Sequence, residues 1–175
     1  MSDLQTRIME KLGERTMQGL TVYPDVLYPH YQGYSLSNIP STICHLLDVP
    51  GFGESPISLE ILENLESSYE KVILIVIDAL GYKLLNNLMK NGKADFLKEK
   101  LPDSVYAPLT SICPSTTASA LTTLWTGVSP ATHGVIGYEM WAKEYGMVIN
   151  NILHSAMSYA GDTGGLKRAG FDPDE

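Results

Sequence analysis

The apolar run VILIVI at residues 72–77 limits the possible folds of this chain more than any other segment. A strand of six consecutive β-branched or leucine residues carries apolar side chains on both of its sides. This pattern is typical of a strand that is buried on both faces in the middle of a parallel sheet. We therefore predict a buried strand over residues 71–77, with helices packed on the two faces of its sheet.

Helical and extended patterns alternate along the rest of the chain. Apolar spacing predicts helices over residues 4–13, 38–47, 56–69, 82–90 and 94–100, and further strands over residues 104–112 and 144–153. This alternation favours an α/β fold with a largely parallel sheet flanked by helices. The chain has 175 residues, enough for one domain with a sizeable core, so we expect a single α/β domain over residues 1–175.

Charge and composition exclude several classes of partner. The chain carries 12 basic and 20 acidic residues, a net charge of −8, with no cluster of Lys or Arg. We therefore expect neither a nucleic-acid polymer nor a membrane as partner. The sequence has no secretory signal pattern and no apolar run of bilayer length, which predicts a cytoplasmic protein. Cys44 and Cys113 lack the spacing of metal ligands, and we expect them to be buried, reduced thiols.

A second motif, PSTTASALTTLWTG, occupies residues 114–127. It begins with a proline, continues with hydroxyl side chains, and then places Leu121, Leu124 and Trp125 at helical spacing. Thr116 or Thr117 would lie at the N-terminus of this helix, where free N–H groups favour an anion such as phosphate. A hydroxyl at that position is either a helix cap or a nucleophile. Gly127, with a proline shortly after it, is expected to end the helix.

Asp78 directly follows the predicted buried strand. Ligands of open α/β sheets bind at the carboxyl ends of the strands, so a carboxylate there is often catalytic or a metal ligand. A simple helix cap for the next helix is the alternative. If Asp78 and Thr117 converge, they can share a divalent cation. Coordination would lower the pKa of the hydroxyl and allow it to form a covalent ester with phosphorus or sulfur.

Three segments resemble the alkaline phosphatase superfamily, specifically its type I phosphodiesterase / nucleotide pyrophosphatase branch. VILIVIDALG is similar to the first metal-ligand motif, and CPSTTASALTTLWTG is similar to the nucleophile motif. SPATHGVIGY resembles the Pro-x-x-His-Gly stretch that follows. Together the three segments span residues 72–138.

The resemblance implies a mechanism and a site. It places the nucleophile on Thr117 and makes Asp78 and Thr117 ligands of one zinc ion. It implies a metal-dependent phosphoester hydrolase that forms a covalent phospho-Thr intermediate, with an alkaline-phosphatase-like core. The complete enzyme would hold two Zn²⁺ ions and act on a small phosphoester.

The sequence also departs from the family's pattern. After the nucleophile it has Ala118-Ser119-Ala120-Leu121 where relatives carry Phe-Pro-Asn-His, so nucleotide specificity is not implied. The later Asp and His ligand motifs are absent after residue 138, and His154 and Asp162 do not match them. We therefore expect the chain to be the N-terminal part of a longer catalytic domain, whose remaining C-terminal part supplies the other ligands.

Other functions stay open or are disfavoured. One alternative is a catalytically silent α/β module that binds an anion at the Thr-rich helix. Another is a different superfamily member, such as a phosphomonoesterase. A sulfatase, a Rossmann dinucleotide binder and an α/β-hydrolase are disfavoured because their motifs are missing. His133 precedes a glycine and is expected to fix a turn. His30 and His45 fit no ligand motif, and we assign them ordinary surface or core roles.

Overall fold

The computed structural model describes residues 3–14, 26–157, 166 and 170, and helices provide most of its regular structure. The helices are α1 (Asp3–Glu14), α2 (Ile39–Leu46), α3 (Leu59–Leu62), α4 (Tyr82–Lys90), α5 (Asp95–Lys100), α6 (Thr117–Thr126) and α7 (Pro130–His133). Two 3-10 turns span Leu36–Asn38 and Leu101–Asp103, and the strands are β1 (Glu139–Ala142), β2 (Met147–Asn150) and β3 (Ser155–Ala156). None of the helices in these ranges has the length and apolarity needed to cross a membrane.

Helix α1 forms one side of the main apolar core. Ile8 and Leu12, one turn apart on the same face, are buried against Tyr34, Ile57 and Ile61. The polar edge of this contact is also tied together. The Lys11 ammonium donates hydrogen bonds to Glu60 Oε1 at 2.7 Å and to the Tyr34 hydroxyl at 3.0 Å. The core therefore joins α1 to the segments around residues 34 and 57–61.

The turn before α2 is held by a buried side-chain network. Ser35 caps the 3-10 turn in a reciprocal capping box with Asn38. The Asn38 amide accepts from Ser35 N at 3.0 Å and donates to the carbonyls of Tyr31 and Ser55, each at 2.8 Å. Three chain segments are thus connected through one fully buried side chain. The predicted cap at Ser37-Asn38 lies at this turn, although the capping hydroxyl belongs to Ser35.

The sheet among the described residues is small and antiparallel. Strands β1, β2 and β3 are neighbours in chain order, with Trp141 opposite Val148 and Ile149 opposite Ala156. The predicted strand over residues 144–153 corresponds to β2 with the turns on either side of it. The predicted largely parallel sheet is not present in the described ranges, where parallel pairing is limited to the single bridge Ser35–Thr110.

The segment 71–77 departs most from expectation. It belongs to no strand, and Ile73 and Ile75 are 86% and 77% exposed. The prediction of a strand buried on both faces therefore does not hold for the described residues. An apolar run records only that both faces can be buried. Actual burial needs two hydrogen-bonded neighbouring strands and covering helices, and the described residues provide neither.

More of the predicted helices than of the predicted strands are present in the structure. The helix over residues 82–90 is confirmed as α4, and those over residues 4–13 and 94–100 agree with α1 and α5 within one residue. The predicted helix over residues 56–69 is reduced to α3 alone. The predicted strand over residues 104–112 makes only the Thr110 bridge, because Pro108 lacks the N–H that a continuous ladder requires.

The Asn38 network predicts a strong stability effect at one position. Asn38→Ala should lower the free energy of unfolding by about 2–3 kcal/mol, because it removes the partner of the buried Ser35 N–H and of the Tyr31 and Ser55 carbonyls. Urea unfolding followed by circular dichroism measures this loss.

Ser37 provides the matched control on the same turn. Its hydroxyl is buried without a hydrogen-bond partner among the described residues, so Ser37→Ala should be near neutral or slightly stabilising. Equal losses for Asn38→Ala and Ser37→Ala would contradict the role assigned to the amide network.

Candidate active site

Helix α6 begins at the hydroxyl-rich motif, and its first residues have distinct roles. Thr116 is the N-cap, with φ −78° and ψ 152°, and its hydroxyl accepts a hydrogen bond from Ser119 N at 3.3 Å. Thr117 is the first residue of the helix. Its side chain is not needed for capping because Thr116 already serves that purpose. The structure therefore separates a capping hydroxyl from a second hydroxyl that is available for another use.

The second hydroxyl lies against Asp78. Thr117 Oγ1 donates a hydrogen bond to Asp78 Oδ2 at 3.2 Å, joining residues that are 39 positions apart. Asp78 is exposed and Thr117 is half-buried, so the pair is open to solvent on one side. The two residues singled out from the sequence are thus brought within hydrogen-bonding distance.

A backbone contact next to Asp78 fixes the other carboxylate oxygen. Asp78 Oδ1 accepts a hydrogen bond from Ala79 N at 2.9 Å. Ala79 has a φ of 59°, a left-handed conformation that is costly for a residue with a Cβ atom. Helix α4 starts only after this turn, and its N-cap is Gly81 without a side-chain cap. Asp78 is therefore not the cap of the following helix, which leaves Oδ2 directed at Thr117.

The loop before α6 is anchored from the other side. Cys113 N donates a hydrogen bond to the Tyr31 hydroxyl at 3.0 Å. Thr110 donates from its backbone N and from its hydroxyl to the Tyr34 carbonyl, at 2.8 and 3.0 Å. These contacts hold the loop on both sides of the buried Ile112. Cys44 and Cys113 are free thiols, but Cys44 is half-buried and Cys113 exposed, so the expectation that both are buried is wrong.

The buried face of α6 is more polar than the sequence predicted. Leu124 is buried as expected, but Trp125 is 75% exposed. Ser119 and Thr123 are fully buried instead. Helix α6 contacts the Leu36–Asn38 turn, α2 and α7, and these small side chains and hydroxyls allow a close approach. The buried face of α6 therefore includes Ser119 and Thr123 and leaves out Trp125.

Gly127 ends α6 as predicted. It adopts the left-handed conformation, with φ 70°, and donates to the Thr123 carbonyl at 2.8 Å. The chain at Gly53 passes so close that a Cβ atom there would lie 2.1 Å from the Gly127 carbonyl oxygen. Both ends of α6 are therefore fixed by local geometry.

His133 ties the turn after α7 to α6. Its Nδ1 accepts a hydrogen bond from Val135 N at 3.0 Å, which leaves the proton on Nε2, 3.0 Å from Thr123 Oγ1. Burial lowers the pKa of His133, while a contact with the Ser119 backbone opposes this shift. Both ring nitrogens are used within the protein. His133 therefore has the structural role predicted from its place before Gly134.

The described residues offer only part of a metal site. They contain no group of three or more His, Cys, Asp or Glu side chains placed to hold a metal ion. The 3.2 Å separation of the Asp78 and Thr117 oxygens is compatible with both lying at about 2.0–2.2 Å from one zinc ion. A four-coordinate site would need further ligands. Asp162 lies outside the described residues.

Sequence reasoning missed two contributors to this geometry. Ala79 fixes the carboxylate through its backbone N–H, and Tyr31 anchors the loop before α6 through its hydroxyl. The turn at Asp-Ala-Leu-Gly had a local signal, because Asp and Gly, which favour turns, follow directly after the apolar run. The Tyr31 contact spans 82 positions and has no counterpart in local pattern.

His133 predicts a pH-dependent contribution to stability. Its pKa in the folded chain lies below the ordinary 6.5, so the unfolded chain binds a proton more readily. The contribution is therefore fully present above pH 6.5 and is lost as the pH falls below that value. An NMR titration of the His133 ring should give a midpoint below 6.5.

The variant His133→Gln tests the same prediction thermodynamically. It should remove the part of the acid sensitivity of the melting temperature that lies below the ordinary histidine pKa. A ring midpoint above 6.5, or an unchanged acid sensitivity in the variant, would contradict a neutral His133 that bridges α6 and its turn.

Comparison with protein families gives one match. The family model described as type I phosphodiesterase / nucleotide pyrophosphatase matches residues 72–159, which include Asp78, Thr117 and His133. Comparison with curated proteins and with solved structures gives no match. The match covers half of the chain and includes both sides of the Asp78–Thr117 contact. The chain therefore belongs to the type I phosphodiesterase / nucleotide pyrophosphatase family.

Proposed function

We propose that this chain carries the nucleophile half of a metal-dependent phosphoester hydrolase, with Thr117 as nucleophile and Asp78 as metal ligand. Family membership supports phosphoester hydrolysis as the type of reaction. The observation that carries the residue assignment is the 3.2 Å contact between Thr117 Oγ1 and Asp78 Oδ2. Thr116 is a poorer candidate because its hydroxyl serves as the helix cap.

The proposed reaction proceeds in two displacements. Thr117 Oγ1 attacks phosphorus, so that a Thr–phosphate ester bond forms while the bond to the leaving-group oxygen breaks. The Thr117 proton is released to solvent water, because Asp78 Oδ2, its hydrogen-bond acceptor here, is the oxygen proposed to hold the metal. Water then attacks the phospho-Thr ester, releases the phosphate product and restores the hydroxyl. The leaving alcohol takes its proton from solvent.

Two features would favour negative charge on the phosphoryl group. Thr117 is the first residue of α6, a helix of 10 residues, so the phosphoryl group would lie at the positive end of the helix dipole. A divalent cation held by Asp78 and Thr117, when bound, would supply charge neutralisation and a lower pKa for the hydroxyl. The carboxylate and hydroxyl suit zinc, and two Zn²⁺ ions would be held in the complete enzyme.

We further propose that a remaining C-terminal part of the enzyme supplies the missing ligands and neighbouring strands. The exposed apolar residues 73–77 support this, since they belong to the kind of segment that lies inside a parallel sheet. Together they would give an alkaline-phosphatase-like core with a largely parallel sheet.

Hydrogen exchange tests the completion of that sheet. Backbone amides of residues 72–77 have no backbone hydrogen bond to another described residue and should exchange fast in this chain. They should become protected when the chain is produced together with the C-terminal polypeptide of its reading frame. Amides of α6 serve as the internal control because they are hydrogen-bonded in both cases. Unchanged fast exchange at residues 72–77 would contradict the proposal.

Substitutions at the two adjacent threonines test the nucleophile. In the chain produced together with its C-terminal polypeptide, with zinc present and bis(p-nitrophenyl) phosphate as substrate, Thr117→Ala should lower kcat/KM by about 10³-fold or more, because no oxygen remains to attack phosphorus. Thr117→Ser should keep measurable activity. Thr122→Ala is the matched control, since the Thr122 hydroxyl only bonds back to the Ala118 carbonyl within α6.

The metal content separates this function from its main alternative. Asp78→Asn should weaken zinc binding measured by calorimetry, whereas a silent anion-binding module would bind inorganic phosphate without zinc and hydrolyse nothing. Activity retained by Thr117→Ala would move the nucleophile elsewhere. If the chain produced together with its C-terminal polypeptide neither binds zinc nor hydrolyses the ester, the proposed hydrolase function is wrong.

A further inference from the structure

A cavity of about 720 Å³ opens beside the Asp78–Thr117 pair. Its walls include Ala79, the residue after Asp78, and Ser115, two residues before Thr117. The same two chain segments therefore carry the reactive pair and form part of the cavity. A volume of this size is in the range of small-molecule sites.

The cavity wall is mainly apolar. Its side chains come from α1, from residues 26–29, from the start of α4 and from residues 108–113, and they include Leu12, Val26, Leu27, Leu84, Leu109 and Ile112. Lys83 is the one charged side chain among the described lining residues, and no carboxylate is among them. The wall thus offers one positive charge and a large apolar surface.

This chemistry selects the substrate of the proposed hydrolase. A second phosphate group would find only Lys83 for its charge, in a chain whose net charge is −8. An alkyl or aryl group would bury apolar surface, which strengthens binding in proportion to the area removed from water. We propose that the cavity binds the apolar ester group of a phosphodiester whose phosphorus is attacked by Thr117. This inference rests on the proposed hydrolase function.

Phosphonates of different chain length test this binding without any turnover. With zinc present, calorimetry should show hexylphosphonate binding at least about tenfold more tightly than methylphosphonate. Each buried methylene can contribute up to about fourfold in affinity, and the expected total allows for incomplete burial. Equal affinities, or no binding of hexylphosphonate, would overturn the proposal. Tighter binding of a nucleoside monophosphate than of hexylphosphonate would overturn it as well.

A pair of substitutions on α4 locates the effect. Leu84 lines the cavity and is 50% exposed, so Leu84→Glu should fold and should remove most of the preference for hexylphosphonate. Asn87→Glu places the same charge on an exposed position of the same helix, outside the cavity lining, and should keep the preference. Equal effects of the two substitutions would overturn the assignment of the cavity.

Turnover separates this proposal from the hydrolase function itself. The hexyl and methyl diesters of p-nitrophenyl phosphate share one leaving group, so the ratio of their kcat/KM values should reproduce the phosphonate preference. If hexylphosphonate is preferred but neither ester is hydrolysed, the proposed role of the cavity is supported and the hydrolase function is contradicted. If both esters are hydrolysed equally well, the hydrolase function is supported and the proposed role of the cavity is contradicted.

Discussion

The hydrogen bond between Thr117 and Asp78 is the contact on which the functional account depends. It joins the end of the apolar segment 72–77 to the start of α6, two parts of the chain that are separated by α4, α5 and a long loop. Each side is fixed independently. Thr116 takes the capping role at α6, and the left-handed turn at Ala79 directs one carboxylate oxygen to the backbone and the other to Thr117.

The groups around the Asp78–Thr117 contact determine which chemistry it could support. A helix N-terminus favours anions, an exposed carboxylate can accept a proton or hold a cation, and a mainly apolar cavity lies beside them. Family membership gives the reaction class, and the geometry of the pair supports the proposed roles of its two residues. Thr116 caps α6, and its neighbour Thr117 is thereby left for the nucleophilic role that we propose.

Features set by local sequence were predictable, and features set by distant partners were not. The apolar spacing predicts helix α4, and the glycine at position 127 predicts the end of α6. The turn at His133 was predicted from a histidine directly before a glycine. The convergence of Asp78 and Thr117 was also predictable, through the family motifs that contain them. The exposure of residues 73–77 could not be predicted, because burial depends on neighbouring strands that the apolar run itself does not specify. The same holds for Tyr31, and for Trp125, whose exposure reflects how α6 rotates against α2.

A crystal structure of the chain produced together with its C-terminal polypeptide, and grown with zinc ions, tests the central claim most directly. The account predicts one ion within about 2.0–2.2 Å of both Asp78 Oδ2 and Thr117 Oγ1, with the Thr116 hydroxyl still capping α6. A structure in which these two oxygens lie on separate surfaces, or in which zinc contacts neither of them, would contradict it.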